Sequence, residues 1–543
     1  MDRLSARTRT GSVGASVSKI AVIGAGPVGV ACAKYLVAEK AFSKIDIYEQ
    51  RDRVGGIWNL SEPPRSKRIP IPQTDPRYGH GHHEDGATSS DLNHRKDGVA
   101  ASEDLLESLE FESPLYDYLE TNIPKELMAF SDKPFPEDEP LFPSHPAVLQ
   151  YLEEYADDVR HLIRFGTAVR DVRPAVDQDT DGGHERRDFT DTGKGHERWD
   201  LTAQDIRSHE TVKESYDAVV VANGHYTIPH VPDIKGLEEW NAAYPGVIIH
   251  SKAYRRPEDY RDKKVIVIGN SASGLDIAAQ IGKYCQKPVL LSSRSVSAFR
   301  TLPARGGDQE DVDEIVEFLP HDPNMQRAVR FKSGRIEKNI DAVVFATGYF
   351  YSYPFLANVS PAIITDGLRT KGTYEHLFSI DHPTLAFPVI NLKVIPFPLS
   401  QNQAAVLARI WSGRLRLPPT QEMRDWERQV IRKNGDGKNF HLKRFPEDAA
   451  QINELFAWAL EAERKEGLEK EGLGKLGTSW GERQVWMRSR FPDIKAAYAA
   501  KGEDRVTVRR IEELGFDFDR WREHAEDKDL DMFQRAKCAQ AKR

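Results

Sequence analysis

An α/β fold with two parallel, wound sheets is what this sequence predicts, on three observations. A strand, a glycine-rich turn, a helix and a second strand follow one another from Lys19 to Tyr48. The same succession returns from Lys264 to Ser292. Two further largely apolar runs, Ala218 to Val221 and Asp341 to Thr347, end close to Gly224 and at Gly348. Strands that alternate with helices in this way wind into parallel sheets rather than antiparallel sandwiches.

The elements can be justified in chain order. Lys19 to Ile23 is a short β-type run, and Pro27 to Lys40 sets Val28, Ala31, Tyr35 and Leu36 at helical spacing. Lys44 to Tyr48 alternates like a second strand. Residues 61–100 are rich in Pro, Gly, Ser and charge without any period, and read as a long, partly disordered surface loop. Its His80, His82, His83 and Glu84 read as solvated, because metal ligands need a pre-shaped cage. A helix is predicted over 146–166. Gly183 to Thr190 is nearly repeated at Gly195 to Thr202, which suits one polar β-hairpin region with a local duplication. In the second unit the strand Lys264 to Ile268 leads to a helix from Ser273 to Tyr284 and a strand from Val289 to Ser292. After residue 420 the pattern is of charged helices with scattered Trp, a cap or packing extension. Residues 1–17 read as a disordered leader, slightly like a transit peptide in its Arg3, Arg7 and Arg9, with a cytoplasmic location expected.

Composition removes several functions. Lys plus Arg number 76 against 84 Asp plus Glu, a formal charge of −8, which argues against a nucleic-acid surface. Cys32, Cys285 and Cys538 are far apart and form no CxxC, so no redox dithiol or zinc site is written. No stretch of 18 apolar residues is present, which excludes a membrane-spanning helix.

The chemistry lies in the turns. In Gly24-Ala25-Gly26-Pro27-Val28-Gly29 the first glycine makes the tight turn, the second admits a pyrophosphate and the third lets helix and strand pack. Glu49, at the end of the second strand, can accept hydrogen bonds from ribose hydroxyls. The paired glycines of Gly55-Gly56-Ile57-Trp58 let the backbone lie against a flat ligand. The second turn, Gly269-Asn270-Ser271-Ala272-Ser273-Gly274, replaces the middle glycine by Ser271. Its following strand ends in Ser292-Ser293-Arg294 where an NAD site would show an acid, so Ser293 and Arg294 point to the 2′-phosphate of NADP(H).

With these motifs on the page the chain resembles the flavin-containing monooxygenases, over residues 18 to about 420. The resemblance rests on both turns, on Glu49, on Gly55 to Trp58 and on Ala346-Thr347-Gly348-Tyr349. It rests most on the fingerprint FxGxxxHxxx(Y/F), present as Tyr244 to Tyr254 with Gly246 and His250, Tyr244 replacing the usual Phe. Val394 to Leu399 running into Gln401-Asn402-Gln403-Ala404 resembles the soluble fungal branch. Baeyer–Villiger relatives end the fingerprint in Trp, and N-hydroxylating ornithine or lysine monooxygenases lack its His-to-Tyr spacing.

The resemblance implies FAD and NADPH as cofactors. It implies an FAD domain over 18–228 and 341–420, an inserted NADPH domain over 229–340, and crossings near Asn223-Gly224 and Thr347-Gly348. It extends cofactor contacts to Ala25, Pro27, Val28, Thr121, Gln403, Ser273, Leu275 and Asp276. Leu119 to Lys125 is similar to a family segment whose Asn, here Asn122, lies beside the flavin and donates to a flavin-bound peroxide. The implied reaction is NADPH- and O2-dependent oxygenation of a soft nucleophile, an amine nitrogen or a thiol or sulfide sulfur, through a C4a-hydroperoxyflavin. Oxygenation of a ketone or aldehyde is the alternative, followed by an NADPH:disulfide oxidoreductase and a flavin-binding protein that no longer oxygenates. His225 reads as a linker residue rather than a base, and room is left for a homodimer.

Overall fold

The computed structural model describes residues 17–61, 69–78, 112–175, 197–295, 307–323, 325–525, 531 and 533–536. The leader before Val17, the histidine cluster at 80–83 and the repeat at 183–190 lie outside them. Strand β1 (Lys19–Ile23), helix α1 (Pro27–Ala38) and strand β2 (Lys44–Tyr48) form the expected opening unit. Helix α2 spans His145–Tyr155, well short of the 146–166 expected. The apolar spacing does continue to Ile163, but Ile163–Arg164 forms a short strand, β3, that pairs in parallel with β2. Edge pairing there outcompetes helical propensity, which is a weak prior.

Strands β4 (Thr167–Pro174), β5 (Trp199–Asp205) and β6 (Thr211–Tyr216) make a three-stranded antiparallel sheet rather than a lone hairpin. Trp199 on its central strand is fully buried, and its indole N–H donates to Thr384 Oγ1 at 2.9 Å. Strand β7 (Ala218–Val221) pairs with β1.

The second sheet is built from β8 (Ile248–His250), β9 (Val265–Ile268), β10 (Val289–Ser292), β11 (Gln309–Val312) and β12 (Ala342–Phe345), in the order β11-β10-β9-β12-β8, with helix α3 (Ala272–Ile281) joining β9 to β10. All its pairings are parallel. Strand β12 corrects the boundary expected at 341: it pairs with β9 and β8, so the chain leaves this sheet only at Ala346–Gly348. Short strands β13 (Thr373–Tyr374), β14 (Phe378–Ser379) and β15 (Leu385–Ala386) then complete the first sheet, in the order β13-β14-β15-β7-β1-β2-β3. The central strands are buried throughout, as parallel strands covered on both faces must be.

Helices α4 (Pro396–Trp411), α5 (Thr420–Asn434), α6 (Glu447–Leu460) and α7 (Glu482–Ala499) follow. The tail is not a separate cap. Trp486, Met487 and Ile494 of α7 share a core with Leu127, Leu141, Phe142 and Ile395 of the first half. Part of the 61–100 loop is likewise docked, since Gln73 is buried and pairs with Val231. Among the described residues no helix is long and apolar enough to cross a membrane.

Candidate active site

Each turn is a cradle built on glycines where a Cβ would not fit. Gly24 has φ +102°, and a Cβ there would come within 2.6 Å of Ala222 O. Its N–H donates to Tyr48 O at 2.8 Å, which ties the turn to the end of β2. A Cβ on Gly29 would lie 1.9 Å from Gly24 O, so only glycine lets α1 pack on its own turn. Gly56 stands over Gly26 so closely that its Cβ would meet Gly26 Cα at 3.1 Å. Helix α1 starts at Gly26 with no side-chain cap, which leaves its first N–H groups for an anion. Around this turn lies a cavity of about 420 Å³ that Gly24, Gly26, Pro27, Val28, Glu49, Gly56, Ile57, Trp58, Thr121 and Asn122 all line.

Glu49 is 5% exposed. Its Oε2 accepts from Ala25 N–H at 2.8 Å and its Oε1 from Arg51 N–H at 2.9 Å. Burial pushes this carboxyl above the usual range, while those backbone donors pull the other way. Each oxygen keeps a second lone pair for a ribose hydroxyl.

The second turn repeats the construction. Gly269 N–H donates to Ser292 O at 2.9 Å, a Cβ on Gly269 would meet Ala346 O at 2.5 Å, and one on Gly274 would meet Gly269 O at 1.8 Å. Ser271 is the uncapped N-cap of α3 with φ −82°, a conformation that needs no glycine. Gly269, Ser271, Ser273, Ser293 and Arg294 line a cavity of about 730 Å³. The Arg294 side chain is 80% exposed, and its Nε pairs with Glu314 Oε2 at 3.1 Å.

Six expected cofactor contacts line neither cavity. Gly29 and Gly274 serve helix packing, and Ala25 is buried with its N–H on Glu49. Leu275 packs beneath the second sheet. Asp276 anchors α3, accepting from Tyr116 Oη–H and, at 3.0 Å, from Gln280 Nε2–H. Gln403 is fully buried in α4, where its Oε1 accepts from Val389 N–H at 2.8 Å and so supports a residue of the first cavity wall. Each of the six is thus held by the packing or hydrogen bonds of its own surroundings.

The two cavities meet. Ile57, Asn122, Ile123, His225, Lys393 and Val394 line both. The Asn122 loop is held from two sides: Thr121 N–H donates to Pro143 O at 2.9 Å, and the Lys495 ammonium of α7 donates to Thr121 O at 2.8 Å. His225 stands at the same junction, its ring 4.4 Å from Tyr226 and 5.0 Å from Tyr351. Its Nε2 is buried without a partner among the described residues, and burial pulls its pKa down to about 4.

The fingerprint is a clasp for the crossing between the sheets. His250 is buried with its Nε2 3.1 Å from Gly348 O, while its Nδ1 accepts from Lys252 N–H at 3.1 Å. Nε2 is therefore the protonated nitrogen, and burial keeps this ring neutral with a pKa near 3. The Lys252 ammonium donates to Thr227 O at 2.7 Å, and Tyr254 packs edge-on against Tyr116.

Pattern reading missed the residues that the tail contributes. Lys438, Asn439, Leu442, Arg444, Arg488 and Phe491 all line the second cavity. No local signal marks them: Lys438 to Arg444 lie in the loop between α5 and α6, and Arg488 and Phe491 lie on a charged helix with the periodicity of any surface helix. Among the described residues no group of three His, Cys, Asp or Glu could hold a metal.

Both cradles fit a dinucleotide: uncapped helix starts, glycine floors, and at the strand ends a carboxylate in one case and a serine–arginine pair in the other. The comparisons agree. A family model described as flavin-binding monooxygenase-like matches residues 106–302 and 323–449, and one described as an NAD(P)-binding Rossmann-like domain matches 22–81. A flavin-containing monooxygenase of Amanita muscaria, iboF, is 30% identical over 492 residues, covering 83% of this chain and 89% of the relative. A thiol-specific monooxygenase of Saccharomyces cerevisiae is 29% identical over 74% of this chain and 79% of its own length. Among solved structures, an S-allyl-L-cysteine S-oxygenase from Allium sativum shares the fold at a TM-score of 0.62 and 24% identity, over 97% of this chain and 100% of that one. With turns, fingerprint and homology in accord, the chain belongs to the flavin-binding monooxygenase-like family, whose enzymes use FAD and NADPH.

Proposed function

We propose that this monooxygenase transfers one oxygen atom to a soft nucleophile, an amine nitrogen or the sulfur of a thiol or sulfide, at the junction of the two cavities. The observation that carries the reading is that Asn122 faces both cavities. In this reading 17–228 and 346–420 hold FAD, 229–345 hold NADPH, and a small molecule and O2 meet where the two cavities join. Bound FAD and NADPH supply hydride transfer and oxygen activation.

The chain's own residues position and shield. Glu49 orients the first ribose, and the N–H groups that open α1 and α3 neutralise the two pyrophosphates. Ser293 and Arg294 select the 2′-phosphate. The Asn122 amide donates a hydrogen bond at the junction without giving up a proton, which an acid there would do. Ile57, Ile123 and Val394 keep that point dry, so its polar contacts act at low dielectric. A soft nucleophile needs no general base, in keeping with a His225 whose pKa burial lowers to about 4, which makes it a weak one. The yeast relative, named a thiol-specific monooxygenase, supports sulfur as one acceptor.

The deciding experiment is NADPH-dependent O2 uptake with a panel of thiols, sulfides, tertiary amines and cyclic ketones, each product identified by mass. Oxygen insertion into sulfur or nitrogen is expected. Ketone-to-ester conversion alone would overturn the reading.

A further inference from the structure

The cations of the second cavity fall into two groups. Arg294 and Lys438 form one, beside the second turn. The Lys438 ammonium donates to Thr347 O at 3.0 Å, and burial together with Arg294 depresses its pKa. The other group is Lys393, Arg444 and Arg488, and it reaches the junction, because Lys393 and its neighbour Val394 line both cavities. Within it, Arg488 is tied down. Its side chain is 7% exposed, its Nε donates to the buried Asp448 Oδ2 at 2.6 Å, and its Nη2 donates to Lys393 O at 3.3 Å. Its guanidinium also lies 4.5 Å from the Phe491 ring centroid.

Arg444 differs: its guanidinium makes no hydrogen bond or ion pair to a described residue, although it lines the cavity. It stands near enough to Lys393 to add to the burial that lowers the Lys393 pKa. Asp448 offsets Arg488, and Glu314, the anionic residue lining this cavity, is paired with Arg294 and Lys332 at the other end. A guanidinium with no described partner, set beside an ammonium and an apolar wall, is relieved by an anion. A guanidinium fork matches a carboxylate in particular.

We propose that Arg444 and Lys393 form a subsite for a substrate carboxylate, which directs a thioether or thiol sulfur of the same molecule to the junction at Asn122. The inference rests on the oxygenation reading above and narrows its substrate class. Leu442, Phe491, Val394 and Ile123 give the rest of that end an apolar lining suited to a short hydrocarbon link. The same cations repel the ammonium form in which an aliphatic amine exists at neutral pH, whereas a thioether is neutral, so sulfur is favoured over nitrogen.

The test uses the flavin-loaded enzyme at saturating NADPH with three probes: 3-(methylthio)propanoate, its methyl ester and 2-(methylthio)ethylamine. The wild type should favour the acid over the ester in kcat/KM by about tenfold, one charge-assisted contact's worth. Arg444→Met should abolish that ratio, and Arg444→Glu should turn the preference toward the amine. Binding of the acid, followed by perturbation of the flavin absorbance without turnover, should weaken in step. An unchanged acid-to-ester ratio in both variants would overturn the subsite. So would a raised KM for NADPH with the ratio intact, which would assign Arg444 to the dinucleotide. Oxygenation of none of the three probes by wild type would overturn the subsite, while the oxygenation reading is decided by the broader panel above.

Discussion

The two nucleotide turns share a backbone plan and differ in how firmly they are finished. At the first, Gly26 and Gly56 face each other across the floor, and Glu49 is buried with both carboxylate oxygens already bonded to backbone. At the second, Ser271 takes the place of the middle glycine and Arg294 reaches out, mostly exposed and paired with Glu314. The first turn suits a ligand that stays, because its polar groups are fixed before binding. The second suits one that comes and goes, because its charge must be recruited from a surface pair. Pre-organisation of this kind lowers the cost of binding.

Matched glycine substitutions should break the comparison most sharply. Gly29→Ala and Gly274→Ala each place a Cβ under 2 Å from a carbonyl oxygen of their own turn. Overpacking of this sort costs about 1–3 kcal/mol or more. Gly29→Ala is expected to purify without flavin, whereas Gly274→Ala should keep its flavin and lose reduction by NADPH. Absorbance ratios and anaerobic reduction check both, and equal flavin loss in the two would erase the distinction.

Asn122→Ala comes next. It should leave NADPH oxidation running while oxygenated product falls by about a hundredfold and H2O2 rises, the scale of losing one oriented donor. Product yield per NADPH measures it, and an unchanged yield would remove Asn122 from the chemistry. For Arg294→Ala, the KM for NADPH should rise about tenfold with that for NADH unmoved, as for one charge-assisted hydrogen bond. Equal rises would sink the 2′-phosphate assignment. Glu49→Gln should weaken flavin binding by about tenfold, since its amide has one acceptor oxygen and its NH2 would face the backbone N–H of Ala25 or Arg51.

The smallest effect is one of pH. Burial holds His225 and His230, both at the second cavity, near a pKa of about 4. Both are neutral above pH 5, so kcat/KM should show no limb near 6.5, where an unperturbed histidine titrates. Between pH 6.5 and 4 the unfolded chain binds these protons and the folded chain does not, so stability should fall as pH drops through that window. An activity limb at 6.5 that disappears in His225→Gln would show that His225 titrates during turnover.

What could be read from sequence follows the range of the interaction. The turns were legible because the strand, the glycines, the helix and the strand-end Glu49 or Arg294 lie within thirty residues of one another, and sterics dictate each. The wound sheets followed from them. Legibility failed where distant segments decide: Ile163 has helical spacing but pairs with Ile47, and Ala342–Phe345 belongs with Val265–Ile268 rather than with the returning half. Asp276 closely follows the second turn in sequence, yet its carboxylate is turned onto Tyr116 and Gln280, and Gln403 is turned onto Val389. Arg444, Arg488 and Phe491 carried no mark at all.

The hydrogen bond from Lys495 to Thr121 O joins parts of the chain 374 residues apart. Every motif for holding flavin and pyridine nucleotide lies outside the last helices, yet the amide that faces both cavities leans on one of them. A Lys495→Met chain, or one whose tail comes from a relative that lacks this lysine, should still load both cofactors and consume NADPH. It should waste the oxygen, because the loop that carries Asn122 loses one of the bonds that hold it.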